Sequence, residues 1–316
     1  MLPRIAPSNA INRQMTPTEW GLLLGLALLW GASYFYNGVA VKALPPLSIV
    51  AFRIALGAAL LLLVVKASGQ GLPRSPAIWG AFFVMGFANN VVPFSLIAWA
   101  QTHVESGLAA ILNATTPLFA VLIANVMTED ERITPQSIAG VVIGFIGVTI
   151  MVGPNALEGL TVDLLADLAL LLASVFYAWS PIFARRFSRW GIPPMVAATC
   201  QMTAAAVMMV PLALVFDRPW SLPVPGLGVW AALIALAALS TTAAYIIYYR
   251  ILATAGAVNL MLVTLLIPVV SIVLGASFLD ERLSPNHFVG MAAIAMGLAA
   301  IDGRPWRWVR GMVGAR

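Results

Sequence analysis

Charge is scarce in this chain: of its 316 residues only 9% are Asp, Glu, Lys or Arg, with two histidines and one cysteine. Each shortage removes a class of function. A lone Cys200 cannot build a disulfide framework and leaves the redox compartment unread. His103 and His287 both fall near loops, and no pair of acids lies deep within an apolar block, Asp163 and Asp167 standing at the start of one, so the Ser-His, paired-acid and metal-ligand sets of intramembrane enzymes lack their residues. Gly-Lys-Ser/Thr phosphate loops are missing too, which leaves nucleotide hydrolysis within this chain unsupported. No enzyme, cofactor or metal is expected.

What is present is apolar surface. Hydrophobic residues make up 61% of the chain, more than one soluble core could bury, and they come in blocks about 18–23 residues long, the length that crosses a bilayer as helix. The ten-residue alternation of a membrane barrel is absent, so the fold class expected is all-α integral membrane. Prolines, charges and Gly/Ser clusters divide the chain into ten spans, near 19–40, 46–66, 77–100, 106–127, 135–152, 161–183, 192–216, 227–250, 255–278 and 286–302. The first span follows Arg4 and Arg13 and has no small-residue cleavage site, which reads as an anchor rather than a removed signal peptide. Trp20, Trp79, Trp220, Trp230, Trp306 and Trp308 lie at span edges, as an interfacial belt requires.

Orientation follows from the basic residues. With the N-terminus inside, the cytoplasmic segments hold Arg4, Arg13, Lys66, Arg74, Arg132, Arg185, Arg186, Arg189, Arg250, Arg304, Arg307, Arg310 and Arg316, against Lys42, Arg218 and Arg282 outside. That bias places both termini in the cytoplasm. It also explains the net charge of +5 without any nucleic-acid partner, because the cations flank the membrane.

One clustered phrase occurs twice. EDER at 129–132 and LDER at 279–282 are each followed by a Thr/Ser-Pro pair and a glycine-spaced apolar run, with Asp130, Glu131, Arg132, Pro135, Gly140, Gly147 and Gly153 standing 150 positions before Asp280, Glu281, Arg282, Pro285, Gly290, Gly297 and Gly303. The phrases read as loop and cap residues leading into helix starts. Five spans separate the copies, and an odd number puts them on opposite membrane faces. The chain is thus expected to be two inverted five-helix repeats, 19–153 and 161–303, between a cytoplasmic tail at 1–18 and a basic tail at 304–316. Inverted repeats are the architecture of secondary transporters, with the solute held near the midplane between halves.

Candidate solute-binding residues form stripes on equivalent helices. Asn90, Phe94, Ile97 and Gln101 share a face of span three, Thr241, Tyr245 and Tyr248 a face of span eight, Trp30, Tyr34 and Asn37 a face of span one, and Ser174 and Tyr177 lie a turn apart in span six. Each could instead be packing or interhelical glue. Two charges lie inside spans, more than a turn from their ends. Arg53 could bind a substrate carboxylate or hold a structural hydrogen-bonding position, since its repeat equivalent is Gln201, and Asp167 is a candidate proton carrier or, alternatively, an interfacial acid. Glu105 and His103 read as loop residues. Pro117 and Pro268, at matching positions of spans four and nine, are candidate hinges or static kinks.

The stretches LLWGASYFYNGVAVKALPPLSIVAFRIALGAALLLL at 28–63, ATTPLFAVLIANVMTEDERITPQSIAGVVIGFIGV and LLIPVVSIVLGASFLDERLSPNHFVGMAAIAMGLAA carry a resemblance. They are similar to the paired segments of the EamA-type drug/metabolite transporter superfamily, over residues 20–303. The resemblance implies ten transmembrane helices as two EamA repeats in the bacterial inner membrane and export of small metabolites, most like bacterial exporters of neutral or aromatic amino acids. Exporters of drugs or organic cations and flippases of lipid-linked substrates remain the alternative. The partners it implies are a small-molecule substrate and the lipid bilayer, with a monomer plausible.

Overall fold

A computed structural model of the chain describes residues 15–127, 134–157 and 161–302. The EDER phrase, most of the N-terminal tail, the basic C-terminal tail, and Trp306 and Trp308 lie outside the described residues. Every regular element among the described residues is helical. We number them α1 (Pro17–Ala40), α2 (Pro46–Ala67), α3 (Pro76–Ala100), α4 (Ser106–Met127), α5 (Pro135–Leu157), α6 (Val162–Arg189), α7 (Pro194–Phe216), α8 (Leu227–Thr254), α9 (Val263–Phe278, after a short helix Gly256–Leu260) and α10 (Pro285–Asp302). Eight are long and apolar enough to cross a membrane, and α9 and α10 are shorter apolar helices. The expected span nine, 255–278, is interrupted at Met261 and Leu262, which is why α9 is short.

The starts of the helices obey local chemistry. α1, α2, α3, α5, α7 and α10 all begin at a proline, whose missing N–H is one that a first turn leaves unbonded in any case. Thr16 and Glu19 close a capping box at α1, and Thr134 Oγ1 accepts from the Ser137 N–H at α5. The exposed Trp20, Trp220 and Trp230 lie near helix ends, where an interfacial belt would hold them.

Packing repeats across the two halves. α1 lies against α9 as α6 lies against α4, α1 against α8 as α6 against α3, and α2 and α7 pack on each other, as do α5 and α10. The α5–α10 contact shows the relation atom by atom. A Cβ on Gly140 would sit 2.6 Å from the Gly297 carbonyl, and one on Gly147 would sit 2.6 Å from the Gly290 carbonyl. Adding 150 to the first of each pair gives the second member of the other, so these two contacts exchange under a two-fold swap of the halves. Small residues let the backbones approach where lipid provides no hydrophobic drive for helices to associate.

Candidate functional site

Two helices depart from α geometry at equivalent places. α3 contains a π-helical turn at Phe87–Val91 and α8 one at Ala238–Ala243, positions 151 apart. The causes differ. In α3 the turn comes just before Pro93, whose ring and missing N–H disturb the hydrogen bond expected at Asn89. In α8 no proline is present, and the hydroxyls of Thr241 and Thr242 donate to the carbonyls five residues back, Leu236 (2.8 Å) and Ala237 (3.0 Å). π turns recur at functional sites because they re-aim side chains, and here they carry Asn90 and Thr241.

Arg53 of α2 reaches this level. It is buried, its Nε donates to Thr241 Oγ1 (3.1 Å), and its guanidinium lies 3.9 Å from the centre of the Phe94 ring. Gln201, the equivalent residue on α7, stands to Tyr245 as Arg53 stands to Phe94: its Nε2 donates to the Tyr245 hydroxyl at 3.5 Å, and so does Asn90 Nδ2. Asn90 is fully buried, and its Oδ1 has no hydrogen-bond partner.

Replacing Thr241 with valine keeps the shape but strips Arg53 and the Leu236 carbonyl of a partner at once. A loss of about 1–3 kcal/mol is expected, read as thermal unfolding of the purified protein, with Thr241→Ser restoring most of it.

A second set joins on α1, α4 and α6. The Tyr34 hydroxyl accepts from Asn113 Nδ2 (2.7 Å), and Ser174 Oγ lies 3.2 Å from Asn113 Oδ1. Asn113 ends the first half of α4, which breaks at Ala114 and Thr115 just ahead of Pro117. The proline at 117 cannot bond back to the Asn113 carbonyl. The freed carbonyl of Asn113 accepts from Thr116 Oγ1 (2.7 Å), as membrane burial demands, and Thr115 Oγ1 donates to the Leu112 carbonyl (2.6 Å) in the same break. Pro268, by contrast, sits inside a continuous stretch of α9.

The remaining candidates fall as follows. Trp30 packs its ring 5.6 Å from that of Tyr248, Asn37 is buried in α1, and Tyr177, Tyr245 and Tyr248 are half-buried. Asp167 is buried on α6 (1% exposed). His103 and Glu105 lie in the α3–α4 connection, His103 against the Trp99 ring. Gln101 belongs elsewhere than with Asn90 and Phe94: its Nε2 donates to the Tyr34 carbonyl and to Ser106 Oγ at the start of α4.

That start holds a cluster the sequence did not disclose. Glu281, read as a loop acid, accepts from the Ser106 N–H (3.0 Å) and Ser106 Oγ (2.8 Å), capping α4 from 175 residues away. At the same end of the bundle Asp217 accepts from Ser48 N (2.6 Å) and Oγ (2.9 Å) at the start of α2. Two carboxylates of the second half thus cap two helices of the first. Glycine at 38 and 275 makes room, since a Cβ at either would meet Ser106 Oγ or the Glu281 carboxylate.

A cavity of about 690 Å³ lies elsewhere, between α3, α4 and α6, lined by Val84, Phe87, Leu122, Val126 and Phe176 among others. Its walls are apolar and Val126 is 83% exposed, so it faces the surroundings of the bundle and offers no orienting group for a polar solute.

Comparison with known proteins fits this architecture. The model of the EamA-like transporter family matches twice, at residues 19–153 and 164–301. The chain is 24% identical to the uncharacterized transporter YyaM of Bacillus subtilis (strain 168), over 89% of this chain and 92% of that protein. It is 24% identical to the uncharacterized inner membrane transporter YedA of Escherichia coli (strain K12), over 92% of each. A probable amino-acid metabolite efflux pump of the same strain is 25% identical over 93% of this chain and 98% of its own length. A solved crystal structure, 22% identical, superposes with a TM-score of 0.63 over 90% of this chain and 96% of that one, so the fold is shared. A helical multi-pass bundle whose halves pack as exchangeable copies, each matched by the same family unit, belongs to the EamA-like transporters of the drug/metabolite transporter superfamily.

Proposed function

We propose that the protein is a secondary carrier of the bacterial inner membrane, with ten spans and both termini cytoplasmic, that exports neutral or aromatic amino acids or related small metabolites by alternating access. The observation that carries this reading is that each π turn sends a polar side chain across to the other half: Asn90 donates to the Tyr245 hydroxyl, and Thr241 accepts from Arg53, whose guanidinium lies on the Phe94 ring. Solute sites between inverted repeats use such irregular backbone. In this mechanism the rings of Trp30, Phe94, Tyr177, Tyr245 and Tyr248 pack on the solute side chain, and Asn37, Asn90, Ser174 and Thr241 take its polar end. The break beside Pro117 and the proline at 268 give α4 and α9 places to bend as one half rocks against the other. The relative named as an amino-acid metabolite efflux pump supports the substrate class. Drug cations and lipid-linked compounds are the second reading, favoured only by their occurrence in the superfamily.

The test is flux from liposomes containing the purified protein and loaded with a radiolabelled amino-acid panel, with and without a pH gradient. Export of at least one neutral or aromatic amino acid is expected, and Tyr245→Phe, which removes the hydroxyl shared by Asn90 and Gln201, should slow it. Movement of a drug cation or lipid-linked sugar and of no amino acid overturns the substrate assignment. Flux that ignores the pH gradient removes Asp167 from any coupling role.

A further inference from the structure

Among the described residues Arg53 is a cation bonded to no anion. Its guanidinium carries five N–H donors; Nε uses Thr241 Oγ1, and the Phe94 ring covers one face. Among the described residues no carboxylate bonds to it. A buried charge in a membrane protein is costly unless paired. The second half shows what packing alone requires. Gln201 occupies the equivalent position with a neutral amide and makes the equivalent contact to Tyr245, so a full positive charge exceeds the structural need at that position.

Asn90 supplies an independent sign. It lies one turn before Phe94 on α3, is fully buried, and has one recorded side-chain partner, the Tyr245 hydroxyl. Oδ1 is left without a donor. Turning the amide over would satisfy Oδ1 and orphan Nδ2 instead, so one end of this side chain awaits a polar group in either orientation.

We propose that Arg53 is the anchor for a carboxylate on the transported solute and that the Asn90 amide takes a second polar group of the same molecule. The solute class this fits is an α-amino acid: the carboxylate meets the guanidinium fork, the ammonium meets Asn90 Oδ1, and the side chain lies among the tyrosines. Arginine suits the first contact because two parallel N–H groups match the two carboxylate oxygens. The inference rests on the solute pocket proposed above and narrows its chemistry.

The experiment uses the full chain in nanodiscs and reads ligand-induced thermal stabilisation. Matched compounds are phenylalanine, 3-phenylpropanoate, which lacks the ammonium, and phenethylamine, which lacks the carboxylate, with the corresponding sets built on leucine and threonine. Wild-type protein should respond to an amino acid and more weakly to its deaminated acid, and should ignore the amine. Arg53→Gln should raise the half-effect concentration of the amino acid roughly a hundredfold, as expected when one partner of a buried charge pair is removed, and Arg53→Lys should raise it less. If Arg53→Gln does not fold, the wild-type series and Arg53→Lys still decide. An amine that stabilises as well as its amino acid overturns the anchor and leaves the amino-acid reading standing. Deaminated acids that bind where no amino acid does support the anchor and remove the amino-acid reading. Silence toward every compound overturns both.

Discussion

Gly147→Ala should destabilise the protein by about 1–3 kcal/mol although it adds a single methyl group to a membrane helix. The added carbon would stand 2.6 Å from the Gly290 carbonyl and 2.9 Å from the Ile294 nitrogen. Both are backbone atoms of α10, which cannot rotate away as a side chain can. α5 and α10 must separate, and the paired contact at Gly140 and Gly297 opens with them, because the two lie two turns apart along the same helices. Thermal unfolding in detergent measures the loss. Gly25→Ala on α1, where a new Cβ meets nothing within 4 Å, is the control and should be neutral or slightly stabilising. Since Gly147 and Gly290 form one contact, the double alanine variant should cost less than the sum of the two single changes. Equal stability of Gly147→Ala and Gly25→Ala would show that the helices do not approach this closely.

Glu281→Ala should release one end of the bundle. The carboxylate accepts two hydrogen bonds from Ser106 and sits at the positive end of α4, an arrangement of charged acceptor and helix start worth about 1.5–3 kcal/mol. Ser106 is bound into the same end in other ways: its hydroxyl also lies 3.2 Å from the Tyr34 carbonyl, and its own carbonyl accepts from Ser271 Oγ at 2.9 Å. Removing Glu281 breaks the tie from the second half and leaves the local ones. If closure at this end alternates with opening, the open population should rise by about ten- to a hundredfold. Leu108, buried beneath the cluster, is the reporter site. With Cys200 replaced by alanine, a cysteine at 108 should react faster with a membrane-impermeant maleimide once Glu281 is gone, and Glu281→Gln should fall between. Unchanged labelling would reduce Glu281 to a static cap.

Much of the architecture was legible because it rests on quantities a single chain carries. Apolar length gave the helices, their expected starts fell on the observed proline at Pro46 and Pro135 and within two residues of it at Pro17, Pro76, Pro194 and Pro285, and the spacing between the two acidic phrases gave the repeat that the family model matches twice. The acidic phrase itself was read only in part. Its loop position was plain, but a cap 175 residues distant leaves no mark in local sequence. The stripe on span three was also only partly a stripe. A π turn at Phe87–Val91 changes the phase of everything before it, and Gln101 is taken by the Tyr34 carbonyl and Ser106. Pro93 and the Thr241-Thr242 pair were the available signals for the irregular turns.

The sequence by itself determined that this protein crosses a membrane as helices and uses one helical unit twice, since span length and repeat offset are properties of the chain alone. Only the tertiary structure decided which polar groups meet: Arg53 with Thr241 from 188 positions away, Asn90 with Tyr245, Asn113 with Tyr34 and Ser174, Glu281 with Ser106. The physical reason lies in the solvent. In water a helix advertises its buried face by its apolar residues, but here lipid and core are both apolar, so the pattern no longer says which face turns inward. Close packing of small residues such as Gly140, Gly147, Gly290 and Gly297 makes that choice, and the polar partners follow from it.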